Sequence, residues 1–131
     1  MRTVLIVDDE FGNVDVLEAA LMDEGYRVIV AMNGRRALER LAEIRPDLVI
    51  SDFMMPLMDG AALGTAMRND EAYRTIAIIM MSSVPERAVR ESFDAYDAFI
   101  RKPFLLSELM TLIDSTVVHG RRSDESADPT H

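Results

Sequence analysis

Five apolar runs alternate along the chain with stretches in which apolar residues recur every three or four positions. Short apolar runs bounded by turn residues indicate buried strands, and the longer spacing indicates amphipathic helices. Strands are predicted at residues 3–7, 27–31, 47–51, 75–81 and 97–100. Helices are predicted at residues 11–24, 35–44, 60–68, 86–95 and 104–118, with Ser107 as the N-cap of the last.

The regular alternation of strands and helices predicts an α/β fold. Connections of this length make consecutive strands parallel and cover both faces of the sheet with helices. We expect a flavodoxin-like, doubly wound, five-stranded parallel sheet of order 2-1-3-4-5 with five helices. This domain takes up residues 1–119, whereas the polar, aperiodic residues 120–131 predict a disordered tail. Because Met1 directly precedes the first strand and no further domain follows, a natural single-domain protein is expected.

Composition narrows the class of partner. The net charge of −9 argues against nucleic-acid binding, because phosphate neutralisation needs clustered Lys and Arg. The absence of cysteine excludes disulfides and thiolate chemistry. No stretch approaches the ~20 apolar residues of a membrane span, and the N-terminal apolar run is too short for a signal peptide. A cytoplasmic protein that binds neither nucleic acid nor membrane is therefore expected.

Polar side chains follow four of the predicted strands. Asp8 and Asp9 come after the first strand, Asp52 after the third, Ser82 after the fourth and Lys102 after the fifth. The first, third and fourth strands are central in the expected order, and their carboxyl ends meet at one edge, where open α/β sheets bind ligands. Asp52 taken alone is equally well explained as a turn residue. The combination predicts a functional site.

The chemistry of this site follows from its charges. Three neighbouring carboxylates repel one another unless a cation neutralises them, and a set of oxygen ligands suits Mg²⁺ better than zinc or copper. An aspartate can act as a nucleophile and form an aspartyl-phosphate. Lys102 and the Ser82 hydroxyl would then contact phosphoryl oxygens, so the site suits phosphoryl transfer onto Asp52.

Three motifs carry a resemblance to a known family. They are Val7-Asp8-Asp9-Glu10, the segment from Asp52 to Gly60 with its Met-Pro-x-Met-Asp-Gly ending, and Lys102-Pro103-Phe104, with Ser82 between the last two. The sequence resembles the receiver domain of response regulators, the phospho-accepting module of two-component signalling, and the resemblance covers about residues 1–119.

The resemblance implies a role for each site residue. Asp52 would accept a phosphoryl group from a sensor histidine kinase or a histidine phosphotransfer protein. Asp9, Asp52 and the Met54 carbonyl would bind Mg²⁺, with Asp8 acting through a coordinated water. Lys102 would contact the phosphoryl group, and its bond to the following proline is expected to be cis.

The resemblance also implies a switch. Ser82 and Phe99 stand at the switch positions and would remodel the face made by the fourth helix, fifth strand and fifth helix, to which a downstream protein binds. The chain would catalyse only its own phosphorylation and dephosphorylation. A phosphorelay shuttle or phosphate sink without its own output is the alternative. A phosphatase with an aspartyl nucleophile and a flavodoxin-like cofactor binder fit less well, because their motifs after the first strand differ from Asp8-Asp9-Glu10.

Overall fold

The computed structural model describes residues 1–119, so the predicted tail at residues 120–131 lies outside the described residues. Strands and helices alternate strictly along the chain. The strands are β1 (Thr3–Val7), β2 (Arg27–Ala31), β3 (Leu48–Asp52), β4 (Ala77–Ser82) and β5 (Ala98–Arg101). The helices are α1 (Phe11–Asp23), α2 (Gly34–Glu43), α3 (Gly60–Arg68), α4 (Glu86–Ser92) and α5 (Leu106–His119).

All five strands are parallel and form one sheet in the order β2-β1-β3-β4-β5, which confirms the predicted topology. The register aligns the carboxyl ends of the central strands. Val7 pairs with Ser51, and Asp52 pairs with Met81. The residues that follow β1, β3 and β4 are therefore brought to one edge of the sheet.

The sheet is covered on both faces, which explains why its central strands are almost wholly apolar. Val7 and its neighbours on one face pack against α2, α3 and α4, with Leu41 and Met67 buried among them. Ile6 and its neighbours on the other face pack against α1 and α5 through residues such as Leu17. Across residues 1–119, none of the helices combines the length and apolar content that a bilayer span requires.

The predicted start of β4 and the predicted end of α4 were wrong. β4 begins at Ala77 and not at residue 75, because Thr75 is exposed and its hydroxyl accepts a hydrogen bond from Arg45 Nη2 at 2.7 Å. α4 ends at Ser92 and not at residue 95, because Phe93 adopts extended backbone angles and turns its ring into the core. Contacts with residues distant in sequence, and not the local pattern of apolar residues, therefore determine where β4 begins and where α4 ends.

The predicted N-cap of the last helix was also wrong. Ser107 lies inside the first turn of α5. The Glu108 carboxylate instead accepts a hydrogen bond from the Leu105 N–H at 2.8 Å. This contact satisfies a backbone donor that the start of the helix would otherwise leave free.

Tyr26, which precedes β2, gives a prediction about stability at high pH. Its hydroxyl donates a hydrogen bond to Asp114 Oδ1 in α5 at 2.7 Å. Burial, together with this hydrogen bond, raises the pKa of Tyr26 from 10.0 to about 12. The native state then holds the phenolic proton more tightly than the unfolded chain, so this stabilisation is present below pH 10 and is lost as pH rises towards about 12.

We expect Tyr26→Phe to lower the free energy of unfolding at neutral pH by about 0.5–1 kcal/mol, the ordinary contribution of one such hydrogen bond. The deficit should shrink as the pH rises above 10, the usual pKa of tyrosine. Urea denaturation of both proteins across this pH range measures it. A deficit of constant size over the range would contradict the assignment.

Candidate functional site

Two buried aspartates form the floor of the site at the carboxyl edge of the sheet. Asp8 follows β1 and is 2 % exposed, and Asp52 ends β3 and is 5 % exposed. The Asp8 backbone N–H donates to the Ala31 carbonyl at 3.1 Å, and its Oδ1 accepts from the Glu10 N–H at 3.0 Å. Asp8 is thereby fixed on both its backbone and its side chain.

Asp9 completes a cluster of three carboxylates. One oxygen from each of Asp8, Asp9 and Asp52 lies within 4.8 Å of the others, and Asp9 is the exposed member. The sequence prediction that these three residues converge is confirmed by this geometry. An all-oxygen donor set open to solvent on one side fits a hard divalent cation such as Mg²⁺.

Lys102 supplies the positive charge. Its Nζ lies 3.3 Å from Asp52 Oδ1 and 3.7 Å from Asp8 Oδ2. Its backbone N–H donates to the Ser82 carbonyl at 2.8 Å, and its peptide bond to Pro103 is cis, as predicted. Lys102 is the only lysine in the sequence.

The electrostatics of the site favour cation binding. Burial raises the pKa of both Asp8 and Asp52 above the usual 3.8, although Lys102 opposes this on each and the Glu10 N–H also opposes it on Asp8. Burial therefore outweighs the attraction of the single ammonium group. A divalent cation beside these carboxylates would relieve the cost of keeping both ionised.

The two predicted switch residues are Ser82, at the end of β4, and Phe99, in β5. Ser82 ends β4 and is fully buried, and its Oγ accepts a hydrogen bond from the Val84 N–H at 2.9 Å. Phe99 in β5 is half-buried, and its ring centroid lies 5.9 Å from that of Tyr96. Both residues thus contact the segments that lead into and out of α4.

The loop between β3 and α3 carries Met54, which is 61 % exposed. Asp59 closes the loop as the N-cap of α3, where its Oδ1 accepts from the Ala62 N–H at 2.8 Å. The Gly60 N–H donates to the Phe53 carbonyl at 2.9 Å. The predicted Met54 carbonyl ligand therefore belongs to a loop that is fixed at both ends.

Sequence reasoning missed two features around this site. Gly60 packs directly behind Asp52, so that a Cβ at Gly60 would lie 2.5 Å from the Asp52 carbonyl oxygen. A cavity of about 590 Å³ also opens beside the carboxylates, between α1 and the start of α5. Asp8 and Lys102 line the cavity together with apolar residues such as Leu17. Gly60 ends the Met-Pro-x-Met-Asp-Gly segment, but neither its packing against Asp52 nor the cavity follows from residue types alone.

A family model, curated relatives and solved structures all match this chain and point to the same family. The family model of the response regulator receiver domain matches residues 4–114. A transcriptional regulatory protein, PrrA of Mycobacterium leprae, is 35 % identical over 111 residues, which are 84 % of this chain and 47 % of that protein. The chain spans about half the length of the curated relatives it matches.

Solved structures show the same fold. The signal receiver domain of a signal transduction histidine kinase from Syntrophus aciditrophicus has a TM-score of 0.83 at 34 % identity, covering 90 % of this chain and 91 % of that one. The response regulator TrrA of Thermotoga maritima, solved in complex with Mg²⁺-BeF, has a TM-score of 0.79 at 30 % identity. That comparison covers 88 % of this chain and 98 % of TrrA.

Proposed function

Because this chain belongs to the response regulator receiver domain family of two-component systems, we propose that it accepts a phosphoryl group on Asp52. The donor is a phosphohistidine on a sensor histidine kinase or a histidine phosphotransfer protein. One observation carries the proposal. Three carboxylates lie within 4.8 Å of one another, and Lys102 Nζ lies 3.3 Å from the acceptor Asp52.

The proposed reaction forms an oxygen–phosphorus bond to Asp52 as the phosphorus–nitrogen bond of the donor breaks, and the electron pair of that bond returns to the imidazole. Lys102 stabilises the charge on the transferring phosphoryl oxygens from a fixed position. Asp9, Asp52 and the Met54 carbonyl would hold Mg²⁺, with Asp8 acting through water. Bound Mg²⁺ would neutralise the carboxylates and the developing phosphoryl charge.

The proposed output is a change on the face formed by α4, β5 and α5. The Ser82 hydroxyl leaves the Val84 N–H and donates to the phosphoryl group, and Phe99 repacks. The observation that supports this is the hydrogen bond from Val84 to Ser82 Oγ at 2.9 Å, because breaking it releases the start of the loop that leads to α4. A downstream protein then binds one of the two arrangements more tightly.

The donor protein is expected to approach along the edge that carries the cavity. Val16 in α1 and Leu106 in α5 are exposed apolar residues that line the cavity next to Lys102. A helical partner could bury these residues while its phosphohistidine faces Asp52. Apolar contacts near the reacting groups and charged residues around them are the usual composition of such transient interfaces.

Action as a stand-alone protein remains a prediction, because the match covers only 47 % of the relative PrrA. The length of the native polypeptide decides it. A phosphorelay shuttle is the alternative function. It would pass the phosphoryl group from Asp52 to a histidine of a second protein, which gel autoradiography of a mixture with a histidine phosphotransfer domain detects.

The proposal predicts that the wild-type protein gains one phosphoryl group when incubated with acetyl phosphate and Mg²⁺. Intact mass spectrometry measures the gain. We expect the gain to vanish in Asp52→Asn and in wild type treated with a metal chelator, because the first lacks the nucleophile and the second lacks the neutralising cation.

Asp59→Asn serves as the matched control, because Asp59 is an exposed N-cap on the same loop and an asparagine keeps the cap. This variant should be phosphorylated like wild type. A folded wild-type protein that gains no phosphoryl group, or an Asp52→Asn variant that still gains one, would overturn the proposal. Turnover of a phosphomonoester would instead favour the phosphatase alternative.

A further inference from the structure

A side-chain hydrogen bond outside the phosphorylation site joins the helix α4 to the segment before the strand β5. The Tyr96 hydroxyl, just before β5, donates to Glu86 Oε2 in the first turn of α4. The Tyr96 ring also lies between two other rings, with centroid distances of 6.4 Å to Phe93 and 5.9 Å to Phe99. Tyr96 therefore connects the start of α4 to the predicted switch residue Phe99.

The backbone on both sides of Tyr96 is fixed. Arg68 Nε donates to the Ala95 carbonyl at 3.0 Å, and Arg68 Nη2 forms an ion pair with Asp97 Oδ2 at 3.0 Å. The Asp97 N–H donates to the Ile78 carbonyl at 2.8 Å, and its carboxylate accepts from the Ile78 N–H at 2.8 Å. Tyr96 can therefore change its side-chain contacts while its backbone stays in place.

Glu86 lies at the other end of this hydrogen bond, in a helix that is anchored by few contacts. α4 has seven residues, and Val89 is its one buried residue. The loop before it is tied to β4 by the hydrogen bond from the Val84 N–H to Ser82 Oγ. Val84 stands two residues before Glu86 in the chain, so breaking this bond removes a constraint on the segment that carries Glu86.

We propose that Glu86 and Tyr96 are positioning residues that hold Phe99 in its unphosphorylated arrangement until Ser82 releases the loop before α4. This inference rests on the proposed function of the site. The two hydrogen bonds act in series, one from Val84 to Ser82 and one from Tyr96 to Glu86. Phe99 has no hydroxyl of its own, and Tyr96 supplies the polar link that Phe99 lacks.

The test compares Tyr96→Phe, Glu86→Ala and the double variant with wild type. Each single change removes the hydrogen bond, so each should increase the population of the phosphorylation-competent arrangement. We expect the rate of phosphorylation by acetyl phosphate and Mg²⁺ to rise about three- to tenfold in each. The double variant should be no faster than the single variants, because both remove the same bond.

A second measurement does not depend on phosphorylation. In protein labelled with ¹³C-phenylalanine, the NMR signals of Phe99 should shift in Glu86→Ala in the direction that Mg²⁺ and beryllofluoride shift them in wild type. Glu86→Gln keeps an oxygen acceptor and should restore most of the wild-type signal and rate. Because α4 carries Glu86 and β5 carries Phe99, this shift reports the connection through Tyr96.

Glu91→Ala in α4 and Tyr73→Phe make the same chemical changes at an exposed glutamate and a half-buried tyrosine elsewhere. Both should behave like wild type. Unchanged Phe99 signals in Glu86→Ala and Tyr96→Phe would overturn the inference, as would additive effects in the double variant. If wild type gains no phosphoryl group, the proposed function fails and this inference fails with it. If wild type is phosphorylated and the Phe99 signals stay unchanged in both variants, this inference alone fails.

Discussion

Replacing Lys102 by methionine is expected to slow phosphorylation of Asp52 by acetyl phosphate about 100-fold, while the fold is retained. Lys102 Nζ is 3.3 Å from Asp52 Oδ1, and no other lysine in the sequence can replace it. Removing one preorganised donor from a transferring group typically costs a factor of about 10²–10³. The rate of mass gain under saturating Mg²⁺ measures the loss.

The same substitution should lower stability when Mg²⁺ is absent. Burial already raises the pKa of Asp8 and Asp52, and Lys102 opposes this rise. Without its ammonium group, ionising both carboxyls at neutral pH becomes more costly in the native state. We expect a loss of about 1–3 kcal/mol by urea denaturation. The loss should diminish in acid, where both carboxyls are protonated in either protein, and Mg²⁺ should restore part of the stability at neutral pH.

The variant Lys102→Arg tests whether stability and the phosphorylation rate depend on the positive charge at residue 102 or on the position of its ammonium group. Arginine keeps the positive charge but presents a planar group of different reach. This variant should keep most of the stability and lose part of the rate. A Lys102→Met protein with wild-type stability in the absence of Mg²⁺ would contradict the electrostatic argument, and one with the wild-type rate would remove Lys102 from the reaction.

The fold was predictable because its signals are local and repeated. Each central strand, such as β3, is a short apolar run, and parallel connections admit few topologies. The same rule brought Asp8, Asp52 and Lys102 to one edge, since a strand end fixes where the next residue lies. The acidic cluster followed from counting polar residues at strand ends and required no knowledge of side-chain packing.

The features that sequence reasoning missed depend on distant partners. Ser107 and Glu108 are adjacent polar residues at the start of α5. The capping hydrogen bond runs from the Leu105 N–H to the Glu108 carboxylate. The bond from Tyr96 to Glu86 joins the segment before β5 to α4, and neither residue belongs to a recognisable motif. Thr75 has a β-branched side chain suited to a strand, but its contact with an arginine from another loop places it outside β4.

Gly60→Ala is expected to destabilise the protein by about 2–3 kcal/mol, although alanine is the better helix former. A Cβ at Gly60 would lie 2.5 Å from the Asp52 carbonyl oxygen, 2.9 Å from Met80 Sδ and 3.0 Å from the Phe53 Cα. Two of these three atoms are backbone. Asp52 is held by pairing with β4, and the Gly60 N–H donates to Phe53, so neither side moves away without breaking hydrogen bonds.

Gly12→Ala is the matched control, since both glycines lie within the first two positions of a helix, α1 or α3. Apart from Gly12 itself, its two chain neighbours and the nearby backbone of its own helix, no heavy atom of residues 1–119 lies within 4 Å of a Cβ placed at Gly12. Neither glycine has a positive φ. Gly12→Ala should therefore stabilise the protein by about 0.5–1 kcal/mol. Urea denaturation of both variants measures the difference.

The changes in the free energy of unfolding expected for Gly12→Ala and Gly60→Ala have opposite signs. The comparison shows whether Gly60 is required for its backbone conformation or for its missing side chain. Gly60 needs no special backbone angle as the first residue of α3, so its required property is the missing side chain. A Cβ there would displace the carbonyl of Asp52 and with it the proposed acceptor carboxylate. Under conditions in which both variants are folded, Asp52 should therefore be phosphorylated by acetyl phosphate more slowly in Gly60→Ala than in Gly12→Ala. Equal changes in the free energy of unfolding in the two variants would show that the atoms around Gly60 move aside at little cost when a Cβ is added.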